Sequence, residues 1–288
     1  MPVRLFIPNT APKNIELFGL PLDVLSVQWR NTTCVSAGAS YNVNDCIEIL
    51  RRGKHLTECS IAPMTGRFTA FPLDMCMNSH ITRLKIVSYC GQEDMAFFFD
   101  HVTCPALHTL YLDSSLDNVQ MRSLKSFLQR SSCELQVLGL SGARKTSGEF
   151  IELAMSLHTL SELELDAPDF GMIPGMLQSF YRSFFDHDSF LPCLQRLSLV
   201  GNFDFPEQLI LALVAHFKVD KSTYRPLESV VIVCQQEGPI PYISQSTLDQ
   251  IRFLQQKNMK FKIEHLSGNR LNDLLQVSLE KINSEERT

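Results

Sequence analysis

The chain has 288 residues, of which 44% are apolar, so it can build one large core or two ordinary ones and is not disordered by composition. Its net charge is -5 and it has no block of Lys or Arg, which argues against nucleic acid or an anionic membrane as the main partner. The start, MPVRLFIPNT, has no long apolar segment, and no run of about 18 apolar residues follows, so we expect neither a secretory signal nor a membrane span.

The first candidate element, GLPLDVLSVQW at residues 19–29, is ambiguous. Its Leu-Pro start, acidic residue and aliphatic pair are compatible with a docking helix. The next residues, NTTCVSAGAS, contain β-branched residues and Gly, which predicts a strand and a turn. The space before the following helix therefore fits one strand-helix repeat and not a helical module.

From residue 32 onward a short pattern recurs: an apolar residue, two others, an apolar residue, one other, an apolar residue. The apolar-x-apolar part has the period of two that a strand requires. Copies are spaced 25 to 34 residues apart and begin at Leu56, Ile81, Leu107, Leu135, Leu160, Leu194 and Leu227, and a weaker copy begins at Thr32, 24 residues before the first. A final strand is expected at FKIEHL, residues 261–266.

Between these strands the apolar spacing changes to i, i+3, i+4, i+7, which places an apolar stripe on one face of a helix. Asn44 before DCIEIL and Pro206 before EQLILALVAHF are expected helix start signals. The four stripes are Met95, Phe98, Phe99, Val102; Phe150, Leu153, Ala154, Leu157; Leu177, Phe180, Tyr181, Phe184; and Ile210, Leu213, Val214, Phe217.

One strand and one helix in each unit predict an α/β leucine-rich-repeat solenoid of about eight irregular repeats, with a curved parallel sheet inside and helices outside. A doubly wound α/β domain is the alternative, but its strands would be runs of Val and Ile. We expect one repeat domain at residues 1–270, followed by a helix at residues 271–288 that caps the last repeat or frays.

The repeats lack a regular turn residue. The Asn expected three positions after the last Leu occurs once, as Asn202. Since that side chain normally satisfies backbone groups in the turn, we expect other hydrogen bonds to hold these turns.

The order of these elements resembles that of fungal, mushroom-type F-box proteins, in which irregular leucine-rich repeats follow an F-box. The resemblance rests on LFGLPLDVLSVQWRNTTCV and then DCIEILRRGKHLTECSI, and extends to about residue 235. It implies that Leu20 and Pro21 belong to a repeat turn, with a true F-box at residues 19–29 as the alternative. Only about ten residues precede the first apparent strand, so we expect the F-box itself to be missing.

In the repeated pattern, the residues between the apolar positions point away from the core, onto the concave face of the predicted solenoid. This face is basic in its third strand, aromatic in the next and acidic further along. A mixed surface with an exposed aromatic suits a protein or peptide partner, and a solvated face without a partner is the alternative. The candidate partner-binding residues are Arg83, Lys85, Tyr111, Glu162, Glu164 and Arg196.

The sequence contains no convincing motif for catalysis, phosphate binding or metal binding. Nine cysteines without a C-x-x-C pair indicate free thiols in a reducing, intracellular compartment, the cytoplasm or the nucleus. SGARKTSGE, residues 141–149, has the wrong order for a phosphate-binding loop, and FDHDSF, residues 185–190, does not bring its side chains to one helix face. His101 and Cys104 are the nearest approach to a nucleophile pair. We therefore expect no catalytic residue, cofactor or metal.

The resulting hypothesis is a non-enzymatic recognition module: the substrate-binding part of an F-box protein of an SCF-type cullin-RING ubiquitin ligase. Its partner would be a protein or peptide on the concave face. The SCF adaptor would be a second partner only if an F-box lies upstream. The alternatives are a leucine-rich-repeat scaffold unrelated to ubiquitination and an enzyme whose site no motif reveals.

Overall fold

The computed structural model describes residues 5–6, 12–18, 22, 25–26, 28–64, 74–88, 92–114, 118–142, 147–167, 174–201, 207–218, 226–235, 242–267 and 270–285. These residues form a mixed α/β structure with helices and a large, mostly parallel sheet of eleven strands. The α/β class predicted from the sequence is confirmed. The chain divides into two compact units, Met1–Glu149 and Phe150–Thr288. The domain boundary predicted at residue 270 stays a prediction.

In the first unit, the strands of the large sheet follow one another in the order β2-β4-β5-β7-β9-β10, and all are parallel. Two further pairs, β1 with β3 and β6 with β8, form separate two-stranded parallel sheets. The elements are β1 (Leu5–Phe6), β2 (Asn14–Phe18), β3 (Leu25–Ser26), β4 (Cys34–Tyr41), α1 (Val43–Arg52), β5 (Glu58–Met64), β6 (Cys76–Met77), β7 (Arg83–Ser88), α2 (Gln92–His101), β8 (Val102–Thr103), β9 (Thr109–Asp113), α3 (Asn118–Ser131) and β10 (Val137–Ser141).

In the second unit, the sheet order is β11-β12-β13-β14-β15. The first four strands are parallel, and β15 returns antiparallel to β14. Helix α4 begins at the end of the first unit and continues into the second. The elements are α4 (Ser147–Ser156), β11 (Glu162–Ala167), α5 (Pro174–Asp186), β12 (Arg196–Gly201), α6 (Glu207–Lys218), β13 (Ser229–Cys234), α7 (Gln245–Gln256), β14 (Lys260–Ser267), β15 (Arg270–Asp273) and α8 (Leu274–Glu285).

The strand register reproduces the sequence pattern. Val35, Cys59, Leu84, Leu110 and Leu138 are Cα partners in five successive strands of the first unit, and all are buried. The same alignment joins four strands of the second unit at Leu163, Leu197, Val230 and Phe261. Equivalent positions of successive copies therefore stack side by side, as the strand predictions require.

Within the large sheet, each unit adds every new parallel strand next to the preceding strand of that sheet. Since the connections between parallel strands are right-handed, addition in one direction places the connecting helices on one face of the sheet. The predicted helix stripes are buried wherever their side chains are described; Phe98, Phe150 and Phe180 are examples. None of the described helices is long and apolar enough to cross a lipid bilayer.

Aromatic rings fill the layer between the sheet and the helices. In the first unit, the rings of Phe99 and Phe127 have centroids 5.6 Å apart. In the second unit, Phe180 contacts Phe184 at 5.7 Å and Phe190 at 5.6 Å between ring centroids. Each such ring buries a large apolar area and therefore contributes strongly to the core.

Some local expectations were wrong. Helix α1 begins at Val43, with Asn42 and not Asn44 as its N-cap. The Asn42 Oδ1 accepts from the Asp45 N–H at 2.9 Å and the Asn42 N–H donates to Asp45 Oδ2 at 3.3 Å, a reciprocal pair that fixes this start. Val102 belongs to strand β8 and not to the preceding helix.

The ambiguous stretch at residues 19–29 has no α-helix in its described part. Leu22 is buried, and Leu25 pairs in parallel with Leu5 across β3 and β1. Leu20, Pro21, Asn202 and Pro206 lie outside the described residues.

The turns before β4, β5 and β7 are linked by a ladder of threonines. The Thr33 carbonyl accepts from the backbone N–H groups of Thr57 and Glu58, at 2.8 and 3.0 Å. The hydroxyls repeat this link: Thr57 Oγ1 donates to the Thr33 carbonyl at 3.0 Å, and Thr82 Oγ1 donates to the Thr57 carbonyl at 3.1 Å. This ladder supplies hydrogen bonds between neighbouring repeats at the start of the strands, whereas the expected Asn would lie in the turn after each strand.

Candidate functional site

In the described part of each unit, most side chains on one sheet face are exposed or half-buried, and we call this the open face. Its side chains alternate along each strand with the buried apolar ones, as in β7, where Arg83 and Lys85 are exposed and Leu84 and Ile86 are buried. All six residues predicted from the sequence lie on the open face of one unit or the other. The structure places Arg83, Lys85 and Tyr111 in the first unit, and Glu162, Glu164 and Arg196 in the second.

The three predicted residues of the first unit are neighbours. Lys85 and Tyr111 are direct Cα partners in β7 and β9, and Arg83 lies two positions before Lys85 on the same strand. The Arg83 guanidinium lies 3.8 Å from the Glu58 carboxylate on β5, and both side chains are exposed. Lys85 has no ion pair among the described residues, so its charge remains available to a partner.

Tyr111 lies flat on the sheet. Its ring covers Gly139 in the next strand so closely that a Cβ at Gly139 would overlap the ring. Phe18 repeats this arrangement on β2, where its ring lies 2.9 Å from a Cβ placed on Gly38. Phe18 is 66% exposed, and it is not among the predicted site residues because the repeated pattern was assigned only from Thr32 onward. The signal available was an alternating Ile-x-Leu-x sequence at residues 15–18.

The three predicted residues of the second unit also form one cluster. Glu162 and Arg196 are direct Cα partners in β11 and β12, and Arg196 Nη2 donates to Glu162 Oε2. Glu164 faces Ser198 in the same pair of strands. Glu164 is half-buried and has no ion pair among the described residues.

Further charges on this face were not predicted. Lys260 and Lys262 lie on β14, where Lys262 Nζ contacts Glu264 Oε1 at 2.8 Å. Val231 and Val233 on β13 are only partly buried and separate these lysines from the acidic strand. The lysines alternate with Phe261 and Ile263 in the strand pattern, which was the signal in the sequence.

The cysteine and histidine candidates are poorly arranged for nucleophilic chemistry. Cys104 is fully buried, and burial raises the pKa of its thiol far above the usual range. The His101 Nδ1 lies 2.9 Å from the Phe97 carbonyl of its own helix. On the open face, burial and then Glu58 raise the pKa of the Cys34 thiol, which disfavours the reactive thiolate.

The remaining motifs do not assemble a site in the described residues. Asp186, His187 and Asp188 are exposed at the end of α5, and residues 143–146 of the glycine-containing loop lie outside the described part. No group of three or more His, Cys, Asp or Glu side chains in the described part is placed to hold a metal ion.

No protein-family model matches this chain, and no curated protein is significantly similar to it. The interpretation of the open face therefore depends on its own geometry.

Proposed function

We propose that the chain is a leucine-rich-repeat recognition module that binds a protein or peptide through the open face of its sheet. The observation that carries this proposal is the composition of that face. In-register strands display charged and aromatic side chains on a rigid backbone, while the alternate side chains form the core. An exposed Phe18, a half-buried Tyr111 and partly satisfied charges are groups that give a protein interface its area and its register.

The resemblance of the sequence to fungal F-box proteins supports a more specific proposal. The chain would hold the target of an SCF-type ubiquitin ligase, and its mechanism would be the positioning of that target. Such a role requires an F-box elsewhere. The burial of Leu22 and the strand at Leu25 favour a structural role for residues 19–29.

Binding through the open face is tested by selecting peptides from a random display library against the whole chain. We expect selected peptides to lose binding to the Lys85→Glu or Glu164→Lys variant and to keep binding to Lys54→Glu or Asp188→Lys. The two control residues are exposed and lie in turns outside the sheet. Binders that are indifferent to the open-face changes would contradict the proposal.

The ubiquitin-ligase role is tested separately by a pull-down with the purified SCF adaptor. We expect no binding by the chain alone, and binding when a known F-box is fused upstream. Adaptor binding that the Leu20→Ala/Val24→Ala variant loses would instead show that residues 19–29 dock the adaptor. A fusion that binds the adaptor but never directs ubiquitin to a face-bound peptide would favour the scaffold alternative.

A further inference from the structure

The open face of the second unit has opposite charges at its two sides. One row of Cα partners crosses four parallel strands: Glu164 on β11, Ser198 on β12, Val231 on β13 and Lys262 on β14. The row therefore changes from an acid, through a small and an aliphatic residue, to a base.

One neighbouring row repeats this polarity, from Glu162 on β11 to Lys260 on β14, whereas the other has an acid at each side, Asp166 and Glu264. Glu162 and Asp166 flank Glu164 on β11, and Lys260 flanks Lys262 on β14. Two of these charges are used within the face, since Glu162 pairs with Arg196 and Lys262 pairs with Glu264. Glu164 and Lys260 form no ion pair with any described residue, so one acid and one base remain on opposite sides.

The distance between the two sides sets the length of a matching ligand. Neighbouring strands are separated by about 4.8 Å, so three steps from β11 to β14 span about 14 Å. An extended peptide advances about 3.5 Å per residue, so it crosses this distance in about four residues. The valines between the two sides favour aliphatic contacts at the centre of such a segment.

We propose that the open face of the second unit binds an extended segment of a partner protein with one basic and one acidic residue four positions apart. The basic side chain pairs with Glu164, the acidic one pairs with Lys260 or Lys262, and a small aliphatic side chain between them contacts Val231. This inference rests on the proposed recognition function and specifies its ligand. Segments with two like charges are repelled at one side, which gives the face its specificity.

The test uses three synthetic nine-residue peptides with blocked ends, titrated into the whole chain carrying labelled valine methyl groups. Each has the core Ala-Val-Ala between two charged residues: Arg and Glu, Glu and Glu, or Arg and Arg. We expect the Arg–Glu peptide to bind about fivefold more tightly than the other two, as for exposed ion pairs. The Val231 methyl resonances should shift, and those of its buried neighbour Val230 should not.

A charge reversal makes the test specific. Glu164→Lys makes both sides basic, so the Glu–Glu peptide should become the tightest ligand. Glu164→Gln should reduce the preference for the Arg–Glu peptide without making the Glu–Glu peptide the tightest ligand. The Asp188→Lys control should bind the three peptides in the same order of affinity as the wild type. An unchanged Val230 spectrum verifies folding of each variant. Equal binding of all three peptides, or an unchanged order in Glu164→Lys, would overturn the inference.

The two proposals fail in different ways. If the selected peptides depend on the open face but lack the two opposite charges, the proposed recognition function would be supported and this inference would be wrong. Absence of any face-dependent peptide would remove both.

Discussion

Asn78 shows how one buried polar side chain connects two repeats. It is 2% exposed, and its Nδ2 donates to the carbonyls of Leu50 at 3.1 Å and Gly53 at 2.9 Å, at the end of α1. Its Oδ1 accepts from the backbone N–H groups of His80 and Ile81, at 3.1 and 3.3 Å. The Asn78 side chain therefore uses both its donor N–H groups and its acceptor oxygen. It satisfies two carbonyl groups at the end of α1 and two N–H groups before β7.

Substitution of this residue gives the first stability prediction. Asn78→Asp replaces the two donors with a carboxylate that faces two carbonyl oxygens, so the free energy of unfolding should fall by about 3 kcal/mol at pH 7. The loss should be smaller at pH 5, because protonation restores one donor. Urea unfolding at the two pH values measures both effects.

The control for Asn78 is Asn31→Asp, on an exposed side chain without a hydrogen bond among the described residues. It should change stability by less than about 0.5 kcal/mol. Equal losses in the two variants would show that the hydrogen bonds of Asn78 contribute little.

At the scale of the strand pair, Tyr111 and Gly139 depend on each other. Gly in a strand leaves the backbone uncovered, and the Tyr111 ring covers it from the neighbouring strand. A Cβ at position 139 would displace the Tyr111 ring. If the ring were removed, the same Cβ would fill open space.

The effect of Gly139→Ala should therefore reverse its sign. In the wild-type background, Gly139→Ala should lower the free energy of unfolding by about 1 kcal/mol. In the Tyr111→Ala background, the same substitution should raise the free energy of unfolding by about 0.5 kcal/mol. A double-mutant cycle by urea unfolding measures the coupling. Gly148→Ala, where no atom lies within 4 Å of the added Cβ, should have the same effect in both backgrounds. Additive effects at Gly139 would show that the ring does not rest on the glycine.

The strands and helix stripes were predictable because their periods are local. Each L-x-x-L-x-L copy supplied three buried positions, and the Leu84–Leu110–Leu138 register followed from their equivalence. Strand β2 lies outside the repeated pattern because it contributes only Ile15 and Leu17 to the core. Strand β15 was missed because it is four residues long and carries an exposed Leu271.

Because the periods of strands and helices are local in sequence, they predict only part of the candidate site. Alternation identified which side chains leave the core, including all six predicted residues. It did not identify their partners: the Arg196–Glu162 pair depends on two strands that are 34 residues apart in sequence. The aromatic cover over Gly139 likewise depends on register, which a single repeat does not contain.

At the scale of the whole molecule, we expect the buried cysteines to make the fold sensitive to alkaline pH. Of the eight that the structure describes, five are buried, and only Cys193 is exposed. Burial raises the pKa of the Cys59 thiol to about 12, and it raises that of Cys104 further. The folded protein therefore retains thiol protons that the unfolded chain releases above its ordinary thiol pKa of about 8.5.

Because the folded state binds more protons in this range, the free energy of unfolding must fall as pH rises. Between pH 8 and pH 10, each fully buried thiol should contribute a loss of about 2 kcal/mol. Urea unfolding at pH 8, 9 and 10 under reducing conditions measures the slope. The Cys59→Ala/Cys104→Ala variant should be less stable at pH 8 but show a flatter pH dependence, whereas Cys193→Ala should keep the wild-type slope. A slope that the double variant leaves unchanged would show that other groups control the alkaline sensitivity.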